Sequence, residues 1–436
     1  MLPRTPAILV AVLLAPCAAP GMATCDQPAP HAAMDLAAAE ARFLACNREL
    51  VAAERAVDAA RADRIVAGQR PNPTFTLGAS NINPQAGVGS GPLRDKTIDS
   101  SARIEQLIER GNKGGLRERQ GDFLVAASRA DYREAMRQGR AQLRQAFFEL
   151  ALQQERTRLM AEFAALAADS ARASQRRFEA GDISAAESNR IRLDAVRAGN
   201  DLRVAEIDRA KARNDLARLL AFEVSAVTLA VREEFDATPE SLPAAGEMRP
   251  DVLAARRRME AAEAARDLAA SVGVRDVTVG AQVDHWPASP FNPQGTGNSY
   301  GITLSIPLHV RHANEGELKR ASVDFQAARE TFVRVQAVAA SEAALAQMDW
   351  EAARERRARV DADVLPVARE VARGAEFAYA RGATSVLDLL DARRSLKQAE
   401  LEAITARSEA AKAWARREAA LETTRDVGPE FPKEQP

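Results

Sequence analysis

From Asn112 to Phe178 the chain runs without a proline, and its glycines, Gly114, Gly115, Gly121 and Gly139, are scattered. Ala, Leu, Glu, Arg and Gln fill the run, and all are strong helix formers. At 1.5 Å per residue an unbroken helix of this size reaches on the order of 100 Å. No single globular core can cover such a rod, so it must lie beside other long helices in coiled-coil fashion. A second run, Glu315–Tyr379, carries the single proline Pro366. Small apolar residues pervade both runs, as in "AEFAALAADSARAS" and "AVAASEAALAQ". They permit close helix approach, which a soluble coiled-coil rod would share.

The two runs belong to two copies of one plan. "NRELVAAERAVDAARADRIVAGQRPNPTFTLGA" (Asn47–Ala79) aligns with "RPDVLAARRRMEAAEAARDLAASVGVRDVTVGA" (Arg249–Ala281), about 202 positions later. "RFEAGDISAAES" (Arg177–Ser188) aligns with "AYARGATSVLDL" (Ala378–Leu389), about 201 later. Each copy reads helix, strand, loop, strand, long helix, short break, helix, and such self-similarity organises everything else. The first repeat spans 24–222 with its tip near 179–183, and a connecting segment covers 223–248. The second repeat spans 249–424 with its tip near 380–384, and a tail covers 425–436.

Four strands are expected, near 73–81, 100–109, 276–284 and 299–308. In the first, Phe75, Leu77 and Ala79 share a face; in the second, Ala102, Ile104 and Ile108 oppose Arg103 and Glu105. Val277, Val279, Ala281 and Val283 align in the third. In the fourth, Tyr300, Ile302, Leu304, Ile306 and Leu308 oppose Gly301, Thr303 and Ser305. Period-2 patterning is the strand signature. It is also the apolar-out, polar-in pattern of a membrane β-barrel, the alternative being two amphipathic hairpins on a soluble domain. The connections Asn81–Thr97 and His285–Asn298 are long and rich in Pro, Gly and Asn, as suits outer barrel loops. Trp286 and Tyr300 flank the second, where an aromatic girdle is expected. Two hairpins supply only four strands, whereas a spanning barrel must close and needs about eight. Several chains must contribute, and three would give twelve strands.

"MLPRTPAILVAVLLAPCAAPGMA" reads as an export signal over 1–23, with an early Arg, an apolar core from Ala7 to Ala15 and small residues before a cut near Ala23. "LLAPC" also faintly resembles a lipoprotein box at Cys17, although a proline precedes the cysteine. With Cys17 in the removed segment, Cys25 and Cys46 are expected to pair in an oxidising compartment, two separate thiols being the alternative. A net charge of -1 argues against a nucleic-acid partner. No stretch after residue 20 approaches the roughly 20 apolar residues of a spanning helix. "GVGSG" lacks the strand-turn-helix setting of a phosphate loop. His31, His285, His309 and His312 are too scattered for a metal centre. No enzyme activity, cofactor or metal site is expected.

These residues resemble the TolC-like outer-membrane efflux proteins: the signal segment, the doubled helix–strand–strand–helix plan and the turns "FEAG" and "YARG". "GQRPNPTFTLGASN", "RIEQLIERGNKGG" and "ITLSIPLHVRHANEGEL" look most like the heavy-metal, CzcC-like branch, and the resemblance runs from about Asp35 to Glu422. It implies a mainly α fold with a small β part. Long helical hairpins would form a trimeric α-barrel, and four strands per chain a shared twelve-stranded transmembrane β-barrel. It implies an outer-membrane homotrimer with a large periplasmic part, working with a periplasmic adaptor and an inner-membrane proton-driven pump of the RND type. Departures are Leu107, where the family often has proline, Thr384 in place of a basic residue, and the unmatched Glu223–Gly246.

On this reading the chain is a passive exit duct for heavy-metal cations. Channels for drugs or secreted protein, and a periplasmic coiled-coil adaptor, are the alternatives. The tips should dock the adaptor through Phe178, Gly181, Tyr379, Arg381 and Gly382. Asp388 and Asp391 match the acidic residues that line the family's periplasmic entrance, with Glu187 at the corresponding place after the first tip. Their i, i+3 spacing puts both aspartates on one face. Leu387, Leu389 and Leu390 are expected to pack against neighbouring helices and hold the acids inward. Acids at the start of a helix, facing its positive end, are the plainer explanation.

Overall fold

The computed structural model describes residues 25, 33–82, 98–222, 229–232, 235, 248–287 and 295–424. The export signal, most of the two outer loops, most of the connecting segment and the tail 425–436 lie outside these residues.

Each repeat follows the expected order. The first holds α1 (Leu36–Cys46), α2 (Arg48–Gly68), β1 (Thr74–Ser80), β2 (Asp99–Ile108), α3 (Lys113–Glu179) and α4 (Ala185–Leu219). The second holds α5 (Pro250–Ser271), β3 (Val277–Trp286), β4 (Gly297–Ser305), α6 (Glu315–Arg359), α7 (Leu365–Ala380) and α8 (Val386–Leu421). α3 alone has 67 residues, so the long proline-free run is one helix. The second run is interrupted. A π-helical turn, Val360–Val364, separates α6 from α7. There Leu365 donates its N–H to the Val360 carbonyl, five residues back. Pro366 follows, at the start of α7, where a residue without an N–H is tolerated.

The described residues form two compact units that cut across the repeats instead of following them. One lies within Met1–Val51, Gly139–Pro239 and Asp349–Arg416. Its core gathers Phe43, Leu143, Phe147, Phe148, Leu150, Leu216, Leu220 and Val231, all nearly sealed from solvent. Here Cys25 and Cys46 are joined in a disulfide, with Cα atoms 5.5 Å apart.

The other unit lies within Ala52–Gln138, Glu240–Met348 and Arg417–Pro436 and holds the sheet. The four strands run in the order β1-β2-β3-β4, each pair antiparallel. Below them Phe123 of α3 is buried against Ala261 and Ala264 of α5. At the β2–α3 corner Lys113 is buried and its Nζ donates to Asp276 at 2.7 Å and to the Val274 carbonyl at 2.8 Å.

β4 ends at Ser305, short of the expected Leu308. The last β3–β4 pair is Thr278↔Ser305; only Val277 of β3 lies beyond it, so from Pro307 onward the chain has no β3 residue to pair with. Period-2 sequence alone does not make a strand without a partner.

Candidate functional site

Two places collect the residues singled out from sequence: the paired helical tips in the first unit, and the sheet in the second.

Both tips close by the same device. Gly181 has φ +84° and Gly382 has φ +73°, the left-handed region where a side chain is strained. Asp182 donates its N–H to the Arg177 carbonyl at 2.8 Å, and Ala383 to the Ala378 carbonyl at 2.9 Å. Gly181 and Gly382 donate to the carbonyls of Phe178 and Tyr379, each at 3.0 Å. These are Schellman closures, with the glycine as the residue that ends the helix. Nothing lies within 4 Å of a Cβ built on either glycine, so the backbone, not crowding, calls for glycine.

The next helix starts with a cap at each tip. Ser184 Oγ accepts from the Glu187 N–H at 3.2 Å, and Ser385 Oγ from the Asp388 N–H at 3.3 Å. At the second tip the box is reciprocal. Asp388 Oδ2 accepts from the Ser385 N–H at 3.1 Å, from Ser385 Oγ at 2.7 Å and from Thr384 Oγ1 at 2.8 Å. The hydroxyls of Ser385 and Thr384 hold the Asp388 carboxyl below the usual carboxylate range. One carboxylate of the pair is therefore engaged with its own helix start.

Asp391 stands one turn further on the same exposed face. Val386, Leu389 and Leu390 are buried, with Ile191 of α4 packed against Val386 and Leu390. Leu387 is not among them; it is 53% exposed and shares the aspartates' face. Within the chain the expected packing against neighbouring helices holds for Leu389 and Leu390 and not for Leu387: a helix turns by about 100° per residue, and Leu389 and Leu390 already fill the buried side. Glu187 is half-buried and is the repeat counterpart of Asp388, whereas the counterpart of Asp391 is Arg190. The acid pair is thus particular to the second tip.

The tips also touch one another. Arg177 donates from Nη1 to the Tyr379 hydroxyl at 3.2 Å. Arg381 lays its guanidinium 3.7 Å from the ring centre of Phe377, which is 58% exposed. Phe178 is also exposed. Phe377 and Arg177 were not singled out from sequence, although a solvent-facing Phe four residues before an Arg on a helix was a usable sign.

The sheet separates two chemistries by face. One carries rows of apolar residues, Phe75–Ile104–Ala281–Ile302 and Leu77–Ala102–Val283–Tyr300, with Val279 beside Leu304. The opposite face carries Arg103, Glu105, Gln282 and Asp284. Arg103 donates to Gln282 Oε1 at 2.9 and 2.6 Å and to Glu105 at 3.2 Å, and Gln282 donates to Asp284 at 2.7 Å. Phe75, Leu77, Tyr300, Ile302 and Leu304 are all at least 64% exposed, so the apolar face has no cover among the described residues. Tyr300 lies on that face, as a girdle requires. Trp286 does not: it pairs with Gly297 three residues beyond Val283, and alternation turns it to the polar face.

No helix among the described residues is long and apolar enough to cross a membrane. No group of three or more His, Cys, Asp or Glu among them is arranged to hold a metal ion. His309 and His312 stand at the β4–α6 corner beside Glu315, whose carboxylate accepts from the Ala313 N–H at 3.1 Å.

The family model described as outer membrane efflux protein matches residues 41–221 and 242–421. The chain is 26% identical over 326 residues to the cobalt-zinc-cadmium resistance protein CzcC of Cupriavidus metallidurans, covering 73% of this chain and 76% of that one. In fold it is similar to the CmeC outer membrane channel of Campylobacter jejuni, with a TM-score of 0.76 at 15% identity, covering 88% of this chain and 85% of that one. It is likewise similar to the outer-membrane channel OprN, with a TM-score of 0.74 at 22% identity, covering 88% and 89%.

Proposed function

The chain belongs to the outer membrane efflux protein family, and from that membership we propose that it is the outer-membrane exit duct of a three-part pump for heavy-metal cations. It works as a homotrimer, with an inner-membrane proton-driven pump supplying the energy and a periplasmic adaptor joining the two. The observation that carries this reading is the sheet: four strands, an apolar face uncovered among the described residues, a polar face, and β1 and β4 as its outer strands. In lipid every backbone group needs a partner, so such a sheet must be completed by other copies. Three copies give twelve strands, within the range of outer-membrane barrels. The polar face then lines a water-filled lumen, and the duct needs no catalytic group.

The metal cargo is supported by the relative whose name declares cobalt, zinc and cadmium resistance. The tips around Gly181 and Gly382 serve as the adaptor-docking rim, with Phe178, Tyr379 and Arg381 on its surface. Asp388 and Asp391, with Glu187, line the periplasmic entrance. Repeated around a ring they set a negative field that admits cations and retards anions.

The test is deletion of the gene in its host, scored as growth in graded cobalt, zinc and cadmium. Sensitivity should rise and be restored by the full-length chain, which should fractionate with the outer membrane. Unchanged metal tolerance would refute the cargo, and recovery of the chain as a soluble monomer would refute the duct.

A further inference from the structure

We infer that Arg110 and Arg275 form a clamp for the headgroup phosphate of an anionic phospholipid, at the end of the sheet's apolar face. The inference rests on the outer-membrane reading above, which turns that face to lipid, and adds a lipid site that a passive duct does not require.

The two arginines come together through the register of the middle seam. The β2–β3 ladder ends at Ile108↔Val277. Continued two residues further, the same register sets Arg110 opposite Arg275. Alternation assigns both to the face that carries Ile104 and Ala281. The apolar rows of this seam therefore end in two guanidinium groups side by side. Like charges directly opposite on paired strands are destabilising, so the arrangement calls for a compensating anion. The nearby acids are engaged elsewhere. Glu109 is paired with Arg117 at 2.7 Å, and Asp276 accepts from Lys113 Nζ at 2.7 Å and from the Arg110 N–H at 2.9 Å. Among the described residues neither guanidinium has a hydrogen bond or ion pair, and both arginines are exposed.

The backbone beneath the pair is held firmly. On either side of Arg275, the Val274 carbonyl and the Asp276 carboxylate both accept from the buried Lys113 Nζ, at 2.8 and 2.7 Å. Directly after Arg110, Gly111 turns the chain with φ +73°, and a Cβ built on it would lie 2.9 Å from Val274 Cβ. The two corners are thus packed against each other with no space for a further atom. Binding an anion has only the two long side chains left to order, which lowers its entropic cost.

The surroundings select a lipid over a free anion. An arginine fork matches the oxygens of a phosphate group. Next along the same face stand Ile108 and Ile104, 48% and 50% exposed, which offer an apolar wall to acyl chains. A small anion would gain nothing from that wall. The 202-residue shift converts Arg110 to His312 and Arg275 to Pro73, so the arginine pair belongs to the middle seam alone and each chain carries one clamp.

The experiment is lipid retention by the purified oligomer in mixed micelles, with phosphatidylglycerol and phosphatidylcholine at equal concentration, read by native mass spectrometry. The native chain should prefer phosphatidylglycerol roughly 30-fold, a factor of about five from each arginine. Arg110→Gln with Arg275→Gln should erase the preference, whereas Arg311→Gln, at a corner outside the pair, should keep it. Either single substitution should leave about one fifth of the preference, which decides the matter even where the double variant does not assemble. Inorganic phosphate at the lipid's concentration should displace nothing. Equal retention of the two lipids by the native oligomer, full preference in both single variants, or displacement by phosphate would overturn the clamp and leave the duct standing. Absence of any outer-membrane oligomer of the native chain would overturn both.

Discussion

Leu304 offers the sharpest test of the sheet's orientation. It lies on the apolar face opposite Val279 and is 66% exposed. Four residues separate it from Tyr300 and four from Leu308. At about 3.4 Å per residue Tyr300 lies roughly 14 Å away along β4, and a tilt of about 40° reduces that to roughly 10 Å of height. Leu304 therefore stands near the middle of an apolar band about 25 Å tall. Leu304→Arg should cost about 2–4 kcal/mol per copy, or about 6–12 kcal/mol for a ring of three. At the lower figure the population of inserted chain falls roughly 30-fold per copy. Thr303→Arg is the matched control, one residue away on the polar face. Thr303 sits opposite Gly280, where a Cβ would lie 3.1 Å from Glu105 Cγ, so the new guanidinium meets a carboxylate and water. The assay is the yield of heat-modifiable oligomer in outer-membrane fractions at matched expression, followed by urea titration of purified protein. Leu304→Arg should be nearly absent and Thr303→Arg near normal. Equal impairment, or the reverse order, would refute the assignment of faces.

Gly181→Leu and Gly382→Leu force a side chain into the left-handed region, at about 1–2 kcal/mol each. They should abolish metal resistance while oligomers still form, and full resistance would remove the tips from docking. Asp391→Asn should lower the cation-to-anion permeability ratio in planar bilayers more than Asp388→Asn does, because the Asp388 carboxylate is already engaged with Ser385 and Thr384; equal effects would refute that division. The depressed carboxyl of Asp388 stabilises the tip above the ordinary carboxylate pKa of about 4, and that stabilisation is lost as pH falls through its lowered folded value. Corrected for the intrinsic rate, amide protection at the α8 start should therefore fall in acid in the native chain but not in Asp388→Asn. Replacing Cys25 and Cys46 by Ser opens a loop with a sequence separation of 21, worth about 3 kcal/mol by chain entropy, and should lower the thermal midpoint measurably.

Much of the architecture could be read from residues because its signals are local. The alternation of Phe75, Leu77 and Ala79, and of Tyr300, Ile302 and Leu304, needs no tertiary knowledge. Nor do the glycine stops at Gly181 and Gly382, each followed by a serine cap. What eluded reading depended on partners. β4 stops at Ser305, where β3 has only Val277 left beyond the last pair, which no property of Ile306 or Leu308 announces. The π-helical turn at Val360–Val364 leaves only Pro366 as a trace. One misreading was avoidable: counting alternation from Val283 already turns Trp286 away from Tyr300's face. Ser385-x-x-Asp388 is a capping pattern visible in the chain itself, beside the entrance role proposed for Asp388. The spatial units were beyond reach, since each takes residues from both repeats.

α6 has 45 residues and not one of them is buried, with Val323, Val333, Val338 and Leu345 all open to solvent. A lone chain carries this helix as a liability, exposed to proteases for as long as it remains single. On the three-chain duct proposed above, the amount of finished duct in the dilute limit follows the third power of the free chain. Halving synthesis would lower it roughly eightfold by mass action. On the same reading gene dosage acts steeply, and in that limit doubling the chain yields far more than twice the conduits.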